Sequence, residues 1–349
     1  MGKKLTVVDF FCGAGGLSEG FRRLGFDVIY AVDNWGPAVE TFKANNPDTE
    51  VVKADVLKLD ASDVPKADVI IGGPPCQQFS GSNKGGGGDV QKGMELVKRF
   101  LYYVNELSPK WWIMENVARL QQFLPDTFKF RDLGIDKTGT FKIPKRKAFN
   151  SADFGAPQKR IRLLSGMYPD PLQTHAENPV AALSGVAYEK WVPMRRVIGA
   201  FPSPLDRPRT GHFIKDPIYD TEVEETRLED HFGDHSMMSE DEAARNRRQK
   251  TQHPYYGKMK FPDDLDRPSR TVMATQFNAS RETMVIEMKV GKKTTYRKPT
   301  IREAASLQCY PVDYKFVGSN PSTKYKLVGN SVPVKLSLAL ADAILKKTD

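Results

Sequence analysis

The chain has 349 residues, enough to bury a sizeable core and to fold as two units. Hydrophobic residues make up 40% and charged residues 27%, and no run of about 18 apolar residues appears, which argues against a membrane span. A formal charge of +9 favours a polyanionic partner.

The N-terminus, "MGKKLTVVDFF", places an acidic residue where a signal peptide would be apolar. It reads as the first strand of a fold, and the expected location is cytoplasmic. Cys12, Cys76 and Cys309 are far apart and odd in number, with no C-x-x-C spacing. Neither a disulfide framework nor a metal site is expected.

"LTVVDFF" (5–11) predicts a strand, followed by a glycine-rich turn and a helix with Leu17, Phe21 and Leu24 on one face, stopped by Gly25. "DVIYAVD" (27–33) predicts a second strand, and Pro37 opens the helix "PAVETFKANN". A third strand is expected in "VVKADVLKL". "ADVIIGG" (67–73) and "WWIMENV" (111–117) are further strands, with a helix over 94–107 between them. Alternation of this kind predicts an α/β fold with a doubly wound, mostly parallel sheet. From about 204 to 300 prolines, an acidic run (220–230) and a basic run (244–250) replace the alternation. That stretch reads as a smaller, irregular second domain. The expected boundaries are 1–203, 204–307 and a returning segment 308–349, whose helix carries Leu336, Ala339, Leu340, Ala343 and Ile344 on one stripe.

The chemistry-bearing residues fall at strand ends. Gly13, Gly15 and Gly16 lie between the first strand and its helix, where a ligand can approach the backbone. Asp33 and Asp55 close the second and third strands, and together they favour a nucleoside-bearing cofactor. Cys76 follows the strand ending "DVIIGG", at the carboxyl edge where ligands of this architecture bind. Glu115 comes after two tryptophans and Ile113, an apolar approach suited to raising a carboxyl pKa. If "KRIRLL" runs as a strand, Arg160 and Arg162 share one face, where two guanidiniums call for an anion or a polar ligand. Taken singly, the plainer readings are favoured: each carboxylate a cap, each arginine a solvated side chain and Cys76 a buried packing residue.

The ordered set "DFFCGAGG", "GGPPCQQFS", "ENV", "PQKRIR", "REAASLQCYP" and "GNSVP" resembles the DNA (cytosine-5) methyltransferases, particularly the bacterial modification enzymes. The resemblance covers almost the whole chain except about 204–265. It implies a Rossmann-like fold with a target-recognition domain, and S-adenosyl-L-methionine as methyl donor, leaving S-adenosyl-L-homocysteine. Phe11, Gly13, Gly15, Gly16, Asp33, Asn34, Asp55, Val56, Pro75, Asn330 and Ser331 would then hold the cofactor. Cys76 would be the nucleophile, with Glu115, Arg160 and Arg162 around the target base. Gln77, Ser80, Arg270, Gln276, Asn278 and Arg281 would contact DNA, and Tyr255 and Tyr256 would sit beside the phosphates or the displaced base. "GSNKGGGGD" would close over a flipped cytosine. One departure from the family is visible: "GDVQKGMEL" carries Asp89 and Lys92 but no arginine.

The implied partner is double-stranded DNA, with any cognate restriction endonuclease a separate chain, and the implied state is a monomer encoded by a bacterium or a phage and associated with the nucleoid. Two alternatives stand beside this. A tRNA-modifying relative typically carries Cys-Phe-Thr, which is absent here, and a non-catalytic DNA-binding relative would lack the nucleophile or the cofactor glycines, which are present.

Overall fold

The computed structural model describes residues 4–75, 89–179, 187–228, 230–252, 254, 258–278 and 280–348. Two compact units divide the chain: Met1–Ser151, Ile161–Leu172 and Leu336–Asp349 form the first, Ala152–Arg160 and Gln173–Lys335 the second. This division crosses the sequence-based boundaries at 203 and 307. The second unit takes in 173–203 and 308–335 as well as the irregular stretch.

In the first unit, β1 (Thr6–Phe10), β2 (Asp27–Asp33), β3 (Glu50–Lys53), β4 (Val69–Gly72) and β5 (Trp111–Val117) are parallel. A hairpin, β6 (Thr127–Lys129) and β7 (Thr140–Lys142), lies outside that sheet. Two antiparallel strands, β8 (Lys145–Asn150) and β9 (Ile161–Met167), complete the seven-stranded order β3-β2-β1-β4-β5-β9-β8. The chain reverses direction across the sheet between β1 and β4, and ligand crevices of doubly wound sheets form outside the carboxyl ends of such strands. Residues after β1, β2, β4 and β5 therefore share one edge.

Most β-branched and aromatic residues of the five parallel strands are buried, as a sheet covered on both faces requires. Helix α1 (Gly16–Arg23) follows β1, α2 (Gly36–Asn45) follows β2, and α3 (Val90–Leu107) connects β4 to β5. Phe10 stacks on Tyr103 of α3 with ring centroids 4.4 Å apart and meets Phe100 edge-on. Gly20 is required by close approach: a Cβ there would lie 2.4 Å from the Leu338 nitrogen. That approach docks the C-terminal segment on α1, and Ser337 Oγ donates to the Leu17 carbonyl.

The second unit is less regular, as expected from its composition. The strand pairs β10 (His175–Ala176) with β11 (Glu189–Lys190), β12 (Phe213–Lys215) with β13 (Glu222–Glu224) and β14 (Ile286–Val290) with β15 (Lys293–Arg297) are short. Its helices are α4 (Arg195–Ile198), α5 (Glu240–Thr251), α6 (Ile301–Leu307), α7 (Pro321–Asn330) and the start of α8 (Val334–Leu345). Buried polar contacts substitute for a continuous sheet. Thr300 and Glu303 form a reciprocal capping box on α6, and Glu303 is paired with buried Arg297 at 2.6 Å. Pro321–Leu345 is long and apolar enough to cross a membrane by length and composition, but 72% of its apolar window is buried within the protein and Ser331–Pro333 divide it into two helices.

Candidate active site

The turn after β1 is built on left-handed backbone. Phe11 (φ 57), Gly13 (φ 55) and Gly15 (φ 85) all take positive φ, and for a bulky phenylalanine this conformation is uncommon. Residues held this way persist only where neighbours over-determine them. Here Cys12 N donates to Val32 O at 3.1 Å and Gly73 N to Phe10 O at 3.3 Å, so β2 and β4 clamp both sides of the turn. Gly13 is open, with the nearest atom to an added Cβ 4.0 Å away, and Gly15 caps α1 without a side-chain bond.

Asp33, at the end of β2, accepts from Gly13 N through Oδ2 and from Trp35 N through Oδ1, each at 2.9 Å. Burial raises its pKa while those backbone bonds lower it. Asp55 stands two residues past β3, and its Oδ1 accepts from Leu57 N at 3.0 Å. Val56 is buried; Asn34 and Pro75 are exposed.

Beneath the turn lies a carboxylate that sequence reasoning passed over. Asp9, within β1, is 1% exposed, and its Oδ2 accepts from Ser18 Oγ at 2.6 Å. Its Oδ1 has no hydrogen-bond partner among the described residues. Desolvation, reinforced by Asp33, pushes its pKa up to about 8. The available signal was an acid inside an otherwise apolar strand, where a charge is costly.

Cys76, Gln77, Ser80 and most of the glycine-rich stretch lie outside the described residues, as do Tyr255 and Tyr256. The approach to Cys76 is described. Asn116, 1% exposed, donates from Nδ2 to the Pro74 carbonyl at 3.0 Å, and its Oδ1 accepts from Val117 N. It is the middle residue of the "ENV" motif. A second polar residue closing an apolar strand was the signal for it.

Glu115 and Arg162 come together. Antiparallel pairing sets Val117 opposite Arg162 and Glu115 opposite Leu164, and Arg162 Nε lies 2.8 Å from Glu115 Oε1. The carboxyl thus meets a cation from the neighbouring strand, in addition to the apolar approach along its own. A Cβ on Gly73 would come within 3.3 Å of Glu115 Oε2, so the carboxylate also borders the chain leading to Cys76.

Arg160 requires a correction. It precedes β9 and does not share a strand face with Arg162. It is 2% exposed in the second unit, where its guanidinium donates to the carbonyls of Val272 (3.1 Å) and Gly329 (2.9 Å). Gln158, also fully buried, donates to Leu307 O and accepts from Val272 N. These side chains pin backbone within their unit. Ser331 is buried there, its Oγ 2.5 Å from Tyr310 Oη, while Asn330 is exposed.

The base-reading candidates also separate. Gln276 is 0% exposed and spans the backbone of Met284, donating to its carbonyl at 3.3 Å, so it cannot present its amide to a base edge in this conformation. Arg270 is half-buried between Asp263 (2.9 Å) and Glu282 (3.4 Å). Arg281 also pairs with Glu282, at 2.8 Å, and Asn278 is exposed. On α5, Arg245, Arg247 and Arg248 are exposed, whereas Lys250 is fully buried on Asp263 at 2.8 Å.

Residues 5–346 match the family described as C-5 cytosine-specific DNA methylase. A Type II methyltransferase of Haemophilus parahaemolyticus, M1.HphI, is 29% identical across 98% of this chain and 87% of its own. Another, M.MthTI of Methanothermobacter thermautotrophicus, is 29% identical across 98% of this chain and 97% of its own. Among solved structures, the Dnmt2 methyltransferase of S. pombe has a similar fold, with a TM-score of 0.64 at 15% identity over 99% of both chains. The Entamoeba histolytica methyltransferase EhMeth matches over 100% of both chains, with a TM-score of 0.64 at 14% identity.

Proposed function

The chain belongs to the C-5 cytosine-specific DNA methylase family, and from that premise we propose that it methylates C5 of a flipped-out cytosine in a short duplex DNA target through a covalent bond between Cys76 and C6. The observation that carries this reading is the grouping at one sheet edge. Asn116 holds the Pro74 carbonyl two residues before Cys76, and beside it Glu115 faces Arg162.

The same edge fits S-adenosyl-L-methionine. The left-handed turn at Phe11, Gly13 and Gly15 leaves open space at Gly13 for a ligand, and Asp33 and Asp55 are acceptors suited to ribose hydroxyls and an exocyclic amine. When bound, the cofactor would supply an electrophilic methyl group.

Cytosine C5 is a poor nucleophile. Attack of the Cys76 thiolate at C6 breaks the C5–C6 double bond and delivers its electron pair to C5. Glu115 would hold the proton at N3 and accept from the exocyclic amine, so the ring tolerates that attack. Arg162 would keep Glu115 oriented and donate to the base O2. After methylation, loss of the C5 proton expels Cys76 and restores the ring. A stacked base is out of reach of this geometry, hence extrusion, at roughly a few kcal/mol.

By similarity to relatives named Type II methyltransferases, the biological role proposed is protection of cytoplasmic DNA within a restriction-modification system. Base-resolution mapping of 5-methylcytosine in cells expressing the chain or Cys76→Ala tests the reading. The expected result is one short sequence methylated at every occurrence and only with Cys76. Methylated tRNA with unmethylated DNA would overturn the substrate assignment.

A further inference from the structure

We propose that Arg99 and Tyr103, neither assigned a role above, are positioning residues that fix the adenine end of the cofactor site by fastening the turn that carries Asp55 to α3. The turn is closed internally at one end: the Asp55 carbonyl accepts from Lys58 N at 2.9 Å and Leu59 N at 3.2 Å, and its side chain accepts from Leu57 N. The carbonyls of Val56 and Leu59 are left to find donors elsewhere, since an unpaired buried carbonyl is costly. Both find them on α3. Arg99 Nε donates to Val56 O at 2.9 Å and Nη2 donates to Leu59 O, while Tyr103 Oη lies 2.7 Å from each of the same two oxygens.

Two convergent side chains on the same two carbonyls exceed what hydrogen-bond satisfaction needs. The arrangement is also braced from both sides. The Arg99 guanidinium lies 4.3 Å from the Tyr102 ring centre and 4.8 Å from that of Tyr103. The fully buried Tyr103 ring stacks on Phe10, the residue before left-handed Phe11. One tyrosine therefore touches both the strand that leads into the glycine turn and the turn that presents Asp55. A forked cation and a hydroxyl, aimed at the backbone beside a single acceptor, set where that acceptor stands. The consequence is selectivity for an amino-bearing purine, the group an Asp55 acceptor would recognise. This rests on the cofactor reading given above.

The test uses the full chain and isothermal titration with S-adenosyl-L-homocysteine and with its inosine counterpart, in which oxygen replaces the adenine amino group. Tyr103→Phe removes the hydroxyl and keeps the ring on Phe10; Arg99→Lys keeps the charge and loses the fork. Thermal melting checks that each variant is folded. The wild type is expected to prefer the adenine compound. Each variant should weaken its binding by about tenfold, and the inosine compound by less, so that the preference narrows. Unchanged affinities, or equal weakening of both compounds with the preference intact, would overturn the proposal and leave these residues as stability contacts only. A folded wild type that binds neither compound would instead overturn the cofactor reading, and the proposal with it.

Discussion

Arg162 Nε and Glu115 Oε1 stand 2.8 Å apart across two antiparallel strands, with only 11% and 10% of the side chains exposed. A pair this sheltered cannot lose one member cheaply, because the survivor is left charged without its partner; such truncations cost about 3–5 kcal/mol in dry interiors. Glu115→Gln keeps the shape and should slow single-turnover methylation by about 100-fold or more, with cofactor affinity near wild type. Arg162→Ala should lower both rate and melting temperature. If the two act as a unit, the double variant is little slower than the worse single one. Rates that multiply fully would mean that they work independently.

The Asn116–Pro74 bond predicts an effect on neighbouring Cys76. Asn116→Asp is nearly isosteric, yet it replaces a donor by an acceptor facing a carbonyl oxygen, at a cost of about 1–3 kcal/mol. Alkylation of Cys76 by iodoacetamide should change rate in this variant, and methylation should fall with it. An unaltered alkylation rate together with normal turnover would remove Asn116 from the site.

Much of the first unit was legible because its signals are local. The strand over 27–33 and that over 111–117 were expected at their observed limits, since each is an apolar run bounded by turn or polar residues. Gly25, placed as the stop of α1, adopts φ 85. What escaped were relationships between elements distant in sequence. Arg160 looked like a partner of Arg162 by spacing, but β9 begins one residue later and long-range carbonyls claim Arg160. Arg99 lies in the helix expected over 94–107, and only the return of the chain at Val56 and Leu59 gives its guanidinium partners. Gln276 shows the same limit: an amide in a polar stretch gives no sign that Met284 will fold back over it.

Burial separates the recognition candidates. Gln276→Ala leaves the Met284 backbone unsatisfied and should cost about 1–3 kcal/mol of stability while target choice is retained. Asn278 is exposed, and Arg281, with 17% of its side chain exposed, pairs with its neighbour Glu282. Asn278→Ala or Arg281→Ala should relax selectivity at one base position. Bisulfite mapping of a randomised-site library distinguishes the outcomes. Uniform weakening across all sites would make them phosphate contacts.

The buried Asp9 carboxyl gives the chain a stability that depends on pH. Its pKa stands at about 8 in the fold against 3.8 for an ordinary aspartate, chiefly through desolvation, with Asp33 adding to the shift and Ser18 opposing it. Between those values the folded chain binds the proton that the unfolded chain has released. The associated stability is therefore fully present below about 3.8 and is lost progressively as pH rises through about 8. Asp9→Asn keeps the size and the acceptor for Ser18 Oγ and removes the titration. Melting temperatures followed from below to above pH about 8 should fall for the wild type and stay flatter for Asp9→Asn, with the variant the more stable of the two at the alkaline end. Cofactor affinity should follow the same ordering, because Asp9 underlies the turn clamped between β2 and β4. Parallel melting curves for the two proteins would mean that Asp9 is already ionised, with a counter-charge reaching its Oδ1.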